Sequence, residues 1–424
     1  MDPEMDRFVA DAHAFLDAKA RKHTDGDAAI AWGVGDDHTG YFNDDPPEVE
    51  EAKLAAARDW QKTRYEAGFG WITGPPPYGG RGLTPIHDMM YDLVETQYAV
   101  PDTAVLSVIG LNMIGPTILA HANQDVKDRF LPAMFRGDAI ACQLFSEPGA
   151  GSDLASVQTR AVRQGDVWVL NGQKVWTSIA QHAQIGMALC RTDLDAPKHK
   201  GITAFIVEMD SPGVDVRPLR QMSGGSEFNE VFLTDVRVPD AHRLGEVNGG
   251  WAVALTTLMN ERASVGVETE GPIKRVTSVP FLAALLRESG HANDGAARRK
   301  LAEILTSLCA ADYLNQQAVR RLRSGAQPGP EASAAKLKWA QNLTEIAHFA
   351  SELVGPKVTA DIGEWGTFSW NELLLSTPAL RILGGTEEIM KNILGERVLR
   401  LPKEPSAPEA RPSVRLSGVE RRAE

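Results

Sequence analysis

Apolar residues in the first 140 positions recur mostly at helical spacing. Phe8, Val9, Ala12, Phe15 and Leu16 form one stripe. Met89, Met90, Leu93 and Val94 form a second, and Val105, Leu106, Ile109 and Met113 a third. Gly33, Gly35, Gly40 and residues 44–47 break the first pattern. Residues 71–82 (WITGPPPYGGRG) form a loop, because three consecutive prolines suit neither a helix nor a central strand. Residues 125–130 start a further helix. Near Ala139 the texture changes to short apolar runs separated by turns, at 167–170, 185–190, 202–207, 214–216 and 231–233. Asn171-Gly172, between VWVL and QKVW, predicts a hairpin turn. Helical spacing resumes after Gly249-Gly250, over 251–267, 274–289, 297–323, 331–354 and 377–399, with 324–330 (SGAQPGP) as an interhelical loop.

This order predicts an α+β multidomain protein. An N-terminal helical domain (1–138) precedes a middle β-barrel or sandwich domain (139–245), a C-terminal helical bundle (246–402) and a flexible tail (403–424). It is not a βαβ order, which argues against a doubly wound dinucleotide fold. The 424 residues are 43% hydrophobic and 24% charged, the balance of an ordinary globular protein. A net charge of −12 opposes binding to nucleic-acid phosphates or anionic lipid by the body of the chain. Three widely spaced cysteines, Cys142, Cys190 and Cys309, argue against a disulfide framework and for a reducing compartment, and all three read as buried hydrophobes. No apolar run reaches the length of a membrane span, and the first residues lack the features of a secretory signal, so the expected location is the cytoplasm.

Several short matches carry no chemistry. Gly149-Ala-Gly151 resembles the start of a dinucleotide fingerprint, but Leu154 holds the last glycine position and Pro148 precedes it. Ser333-Ala-Ala-Lys336 matches an S-x-x-K nucleophile motif, but it lies mid-helix and no K-T-G follows. The ten histidines include no ligand spacing, so no metal site is expected. Phe145-Ser-Glu-Pro-Gly-Ala-Gly-Ser-Asp153 is different. Its bare backbone N–H groups and two hydroxyls suit the oxygens of a cofactor or a phosphate. It reads equally as a tight interdomain turn with Asp153 capping a helix. Downstream, Trp176-Thr-Ser178 ends a strand, where a tryptophan stacks on an aromatic cofactor or simply fills core.

Taken in order, longer blocks carry a resemblance. They are F-S-E-P-G-A-G-S-D, N-G-Q-K-V-W-T-S, Lys200-Gly-Ile-Thr-Ala-Phe-Ile-Val207 and Asp235-Val-Arg-Val-Pro239. Asn260-Glu-Arg262, Gly384-Gly-Thr-Glu-Glu388 and Asn392-Ile-Leu-Gly-Glu-Arg-Val398 complete the set. Together they resemble the acyl-CoA dehydrogenases over nearly the whole chain. The resemblance implies an α domain, a β domain and a four-helix α domain, a bound FAD, and α,β-dehydrogenation of an acyl-CoA. A carboxylate takes the α-proton as the β-hydride passes to flavin N5. By the same resemblance Gln143, Phe145, Ser146, Gly151 and Ser152 line the flavin, Ser152 also lying near the pantetheine. Trp176, Thr177 and Ser178 flank the isoalloxazine, with Ser178 as the partner of N5. Gly385, Thr386 and Glu388 lie at a helix start near the FAD phosphates, and Glu352 and Gly355 stand at the adenine-side loop. Gly384 offers a backbone N–H to the thioester carbonyl.

The sequence also departs from that pattern. Where most straight-chain members carry the catalytic glutamate, this chain has Gly384, which removes no proton. A minority of the family carries the base directly before a helical arginine, and Glu261-Arg262 fills that place. Glu261 is therefore the expected base, its pKa raised by burial beside the acyl chain, with Asn260 and Arg262 on the substrate side. Arg287-Glu-Ser289 stands where homomeric relatives carry an Arg-x-x-Phe-Gly element for the FAD pyrophosphate, but Gly290-His291 replaces Phe-Gly. The resemblance thus leaves an acyl-CoA dehydrogenase, homodimeric or homotetrameric, beside a non-catalytic or half-site subunit of a heteromer, and an oxidase or monooxygenase as a third reading. An electron-transfer flavoprotein is the implied electron acceptor.

Overall fold

A computed structural model describes residues 3–23, 32–42, 45–264, 272–323 and 329–403. The tail from residue 404, residues 324–328 of the interhelical loop, residues 265–267 and the Arg262 side chain lie outside what is described.

The N-terminal stripes fold as helices α1 (Pro3–Lys19), α2 (Pro47–Glu66), α3 (Pro85–Glu95), α4 (Ala104–Leu106), α5 (Gly115–His121) and α6 (Gln124–Arg136). Two short strands, β1 (Arg21–Lys22) and β2 (Tyr98–Ala99), pair antiparallel beside them. Asn123 caps α6 by accepting the Val126 N–H, and Gly137 ends it in the left-handed region. A π-helical turn (Ser107–Ile114) joins α4 to α5, so Ala104–His121 has the length and apolar composition of a membrane span, against the expectation above. It is nevertheless a core element. Leu111, Met113, Ile114 and Ile118 are buried, and the run packs against β3 and α7.

The middle of the chain forms one eight-stranded sheet, from β3 (Ala141–Leu144), β4 (Arg160–Gln164), β5 (Val167–Ser178), β6 (Ile185–Arg191), β7 (Ile202–Glu208), β8 (Val214–Leu219), β9 (Phe228–Pro239) and β10 (Arg243–Leu244). The order is β10-β7-β6-β4-β5-β9-β8, with β3 parallel to β6. Trp168 of β5 meets Phe205 of β7 at 5.3 Å although β4 and β6 lie between their strands, because the sheet curls around its own core.

Asn171-Gly172 does not turn the chain. The β4–β5 hairpin turns at Gly165-Asp166, and β5 runs straight through Asn-Gly with a bulge against β9. Two-sided pairing overrides the local turn preference. A Cβ on Gly172 would lie 2.4 Å from the Thr159 hydroxyl, so glycine serves close strand approach here. Asn171 Nδ2 donates to Asp235 Oδ1 (3.0 Å), and its own Oδ1 accepts the Asp235 N–H (2.9 Å).

Helices return as α7 (Gly250–Ser264), α8 (Pro272–Val276), α9 (Val279–Glu288), α10 (Gly295–Arg323), α11 (Ala332–Val354), α12 (Trp370–Leu380) and α13 (Glu387–Ile393). Two predicted helices are each split. Ser278 caps α9 and Pro280 withholds an N–H from any helix continuing out of α8. Gly384 and Gly385, at φ 65° and 94°, separate α12 from α13. Cys142 and Cys190 are buried as expected, but Cys309 lies on the outward side of α10 and is exposed, because its position falls off that helix's apolar stripe.

Residues 32–42 strap the N-terminal part to this bundle. The Trp32 ring meets Trp365 at 5.0 Å and Phe281 at 5.5 Å. Trp365 Nε1 donates to Gly35 O (2.9 Å), and the Gly366 N–H donates to Asp37 Oδ2 (2.8 Å). The Glu372 carboxylate accepts the Thr39 and Gly40 N–H groups at 3.0 and 3.1 Å.

Candidate active site

The Phe145–Asp153 block is fastened to β5 by a buried ion pair. Lys174, with 0% of its side chain exposed, donates to Glu147 Oε1 (2.8 Å), Phe145 O (3.2 Å) and Leu189 O (2.7 Å). The Glu147 carboxylate also accepts the Gln158 and Thr159 N–H groups at 2.6 and 3.0 Å. Burial pushes its pKa up, but Lys174 and these donors outweigh that and leave it below the usual carboxylate range. Glu147 and Ala150 exchange backbone hydrogen bonds at 3.0 Å, closing a tight turn, and the Val175 N–H donates to Ser146 O (2.9 Å). Asp153 caps no helix with its side chain. It accepts from the Ser156 hydroxyl (2.5 Å) and from Lys198 (2.8 Å).

Eight of the expected cofactor residues gather around this loop and the end of β5. Gln143 stands on β3 beside buried Phe145, Ser146 is half-buried, and Gly151 and Ser152 are exposed. A register shift between Lys174 and Thr177 forms a bulge. There Trp176 takes φ 59° and keeps 60% of its surface exposed. A bulky residue held in the left-handed region costs on the order of 1–3 kcal/mol, and such strain marks functional sites. Next to it, Thr177 is buried with its hydroxyl unpartnered, as is the Oδ1 of neighbouring Asn229. Ser178, half-buried, closes β5 opposite Phe228. An exposed, pre-set indole, orphaned acceptors and an open glycine turn fit a planar, polar-edged group such as a flavin.

A second cluster forms in the C-terminal helices. Asn260 and Glu261, both half-buried, lie near the end of α7, and α7 packs on α11. Lys336 of α11, fully buried, donates to Gly385 O (2.8 Å) and Leu380 O (3.1 Å). Burial lowers its pKa to about 8, against the opposing pull of Glu261 and Glu387, so Glu261 lies within electrostatic reach of the ammonium that holds the Gly384-Gly385 turn. Thr386 caps α13 by accepting the Ile389 N–H (3.2 Å). Buried Glu387 pairs with Arg381 Nε (2.8 Å), while Glu388 is exposed. Glu352 sits near the far end of α11, about 24 Å along the axis from Lys336 at 1.5 Å per residue, and Gly355 is the C-cap just beyond that end. Arg287 is exposed where α9 ends, and Ser289 Oγ bonds to Leu285 O (2.7 Å).

The strap connects the two clusters. Phe42 meets Phe228 at 5.4 Å, and Phe228 meets Trp176 at 6.0 Å. Tyr41 meets Trp339, on α11 one turn from Lys336, at 5.5 Å. Sequence reasoning did not assign Glu147, Lys174, Lys336 or the strap. A signal existed for Lys336: positions 333, 336, 340, 343, 347 and 350 form one buried stripe, so lysine occupies a core position. For Lys174 the signal was a lone lysine at a buried strand position.

The sequence matches three family profiles: "Acyl-CoA dehydrogenase, N-terminal domain" over residues 43–138, "middle domain" over 142–236 and "C-terminal domain" over 248–399. Acyl-CoA dehydrogenase FadE34 of Mycobacterium tuberculosis is 40% identical over 336 residues, spanning 78% of this chain and 44% of that protein. The chain thus covers less than half the length of that relative. Acyl-CoA dehydrogenase IpdE1 of the same organism is 37% identical over 362 residues, spanning 84% of this chain and 91% of that protein. The solved structure titled "Tcur3481-Tcur3483 steroid ACAD" superposes with a TM-score of 0.72 at 25% identity, covering 95% of this chain and 99% of the other.

Proposed function

The chain belongs to the acyl-CoA dehydrogenase family, and from that premise we propose that it catalyses FAD-dependent α,β-dehydrogenation of an acyl-CoA, with Glu261 as the base. The observation that supports this reading is that Glu261 lies within electrostatic reach of Lys336, whose ammonium donates to the Gly385 carbonyl of the Gly384-Gly385 turn.

Glu261 takes the α-proton on its carboxylate. A backbone N–H of the turn at Gly384 donates to the thioester carbonyl and steadies the negative charge that develops on that oxygen. Bound FAD supplies the acceptor for the β-hydride. The Trp176 indole covers the flank of the ring system, the Thr177 and Ser178 hydroxyls donate to its polar edge, and Ser146, Gly151 and Ser152 hold its chain. Asn260 and Arg262 guide the pantetheine arm, and Glu352 and Gly355 border the adenine side. Thr386 orders the helix start beside the phosphates. Glu387 is committed to Arg381 there and leaves local positive charge partly cancelled. An electron-transfer flavoprotein receives the electrons in turn.

A second reading is a heteromer subunit. It is favoured by the missing Phe-Gly after Ser289 and by the paired designation of the solved relative. One spectrum separates the two. A chain purified alone whose visible flavin band bleaches anaerobically with an acyl-CoA is self-sufficient, and Glu261→Gln must then keep the band and lose the bleaching. Protein that stays colourless with added FAD refutes the self-sufficient reading in favour of the heteromer.

A further inference from the structure

A bulky residue in the left-handed region persists only where its surroundings over-determine it. Trp176, at φ 59° and 60% exposed, is not held there by burial. One edge of its indole is met by Phe228, 6.0 Å away and turned 84° to it. Phe228 is itself half-buried, at the first position of β9, where Ser178 and Leu219 pair with it on either side. Strand pairing fixes the Phe228 backbone and leaves its ring to be set by packing. That packing comes from Phe42 of the strap, at 5.4 Å and 64°. The strap has neither helix nor strand, yet its path is fixed at many points. The buried Thr39 hydroxyl donates to Ser369 O just before α12, Arg275 of α8 donates to Asp36 O (2.7 Å), and Glu372 accepts the Thr39 and Gly40 N–H groups. Tyr41 then stands between Trp339 of α11 (5.5 Å) and Phe42 (5.1 Å). Phe42 thus packs on the core of the helical bundle and touches the sheet with the same ring.

We propose that Phe42 is a positioning residue for the cofactor, holding the Trp176 indole, through Phe228, in the pose that covers the flavin. This rests on the reading of Trp176 as the flank of the flavin site. Edge-to-face ring contacts depend on orientation as well as distance. When the Phe42 ring is lost, Phe228 is free to turn, and the indole loses the edge that steadies it. The helical bundle thereby sets one wall of a site built mainly on the sheet, by way of an arm that follows α1 in the chain.

The test uses the full chain labelled with fluorotryptophan and read by fluorine NMR without FAD, which needs no turnover. Trp176→Phe identifies the Trp176 signal among the nine tryptophans. In Phe42→Ala that signal moves by more than its own width, and FAD binds about three- to tenfold more weakly, the worth of one aromatic pair. In a Trp176→Ala background, Phe42→Ala changes FAD affinity by less than about twofold, because the ring it acts through is gone. An unmoved Trp176 signal in Phe42→Ala, whatever its melting temperature, overturns the proposal and leaves Phe42 as packing. So does a loss of FAD affinity that is the same in both backgrounds, or a moved signal with FAD affinity unchanged. If Phe42→Ala does not fold, Phe42→Leu decides: it keeps an apolar side chain and removes the ring, so a moved signal supports the proposal and an unmoved one overturns it. Should the wild-type chain take up no FAD, the flavin reading of Trp176 fails, while a moved signal still supports Phe42 as the residue that sets the indole.

Discussion

Replacing Lys174 by Met would test how the cofactor loop is held. Methionine fills nearly the same volume, so the change is electrostatic and leaves no large cavity. In the native chain one buried ammonium serves Glu147 and two carbonyls. Without it, Glu147, only 8% exposed, keeps the Gln158 and Thr159 N–H groups and no counter-charge. Removing one member of a buried ion pair costs about 3–5 kcal/mol. At 1.4 kcal/mol per factor of ten, that speeds opening of the loop by about 10² to 10³-fold or more. Hydrogen exchange by mass spectrometry on a peptide spanning 146–160 reads this directly, since both amides that bond Glu147 lie within it. Glu147→Gln with Lys174→Met, which leaves no lone charge, should recover part of the loss. The wild-type pair also has a defined acid limit. Because the folded pKa of Glu147 is depressed, its contribution is complete above the unfolded value of about 4.3 and is lost as pH falls through the folded value. Exchange in Lys174→Met within threefold of wild type would refute the reasoning.

Two further outcomes follow from burial and space. Native protein should show one fast thiol toward an aromatic disulfide reagent, Cys309, because burial pushes the Cys142 and Cys190 thiols up to about 12; three should react in guanidinium, and two fast native thiols would contradict the packing. Gly149→Ala and Gly151→Ala add a methyl that meets nothing within 4 Å and asks for no left-handed backbone. The melting temperature should hold while FAD binding to the apoprotein weakens at least tenfold; unchanged binding would show that no ligand approaches that backbone.

The helix–sheet–helix order was legible from periodicity because long amphipathic stripes and short apolar runs differ in period. What was not legible depends on partners distant in sequence. Asn171-Gly172 carries a strong local turn signal, yet β4 and β9 hold it extended from both sides. Residues 274–289 and 377–399 read as single helices because the stripe continues across Ser278 and Gly384-Gly385, where caps and left-handed glycines break the backbone without breaking the pattern. In the site, the loop and Trp176 stood out as motifs. Lys174 and Lys336 did not, since a lysine's burial is decided by acceptors supplied from other elements.

The strap of residues 32–42 has a consequence for how the chain is made. Its partners Trp365, Gly366 and Glu372 come about 330 residues later. At about 5–20 residues per second, the ribosome leaves the strap without a seat for roughly 20–60 s after it emerges. During that time the Trp32 ring and the Tyr41-Phe42 pair must stay out of aggregates. The strap therefore closes among the last events of synthesis, and the aromatic bridge between Trp176 and α11 is completed only in a molecule translated through α12.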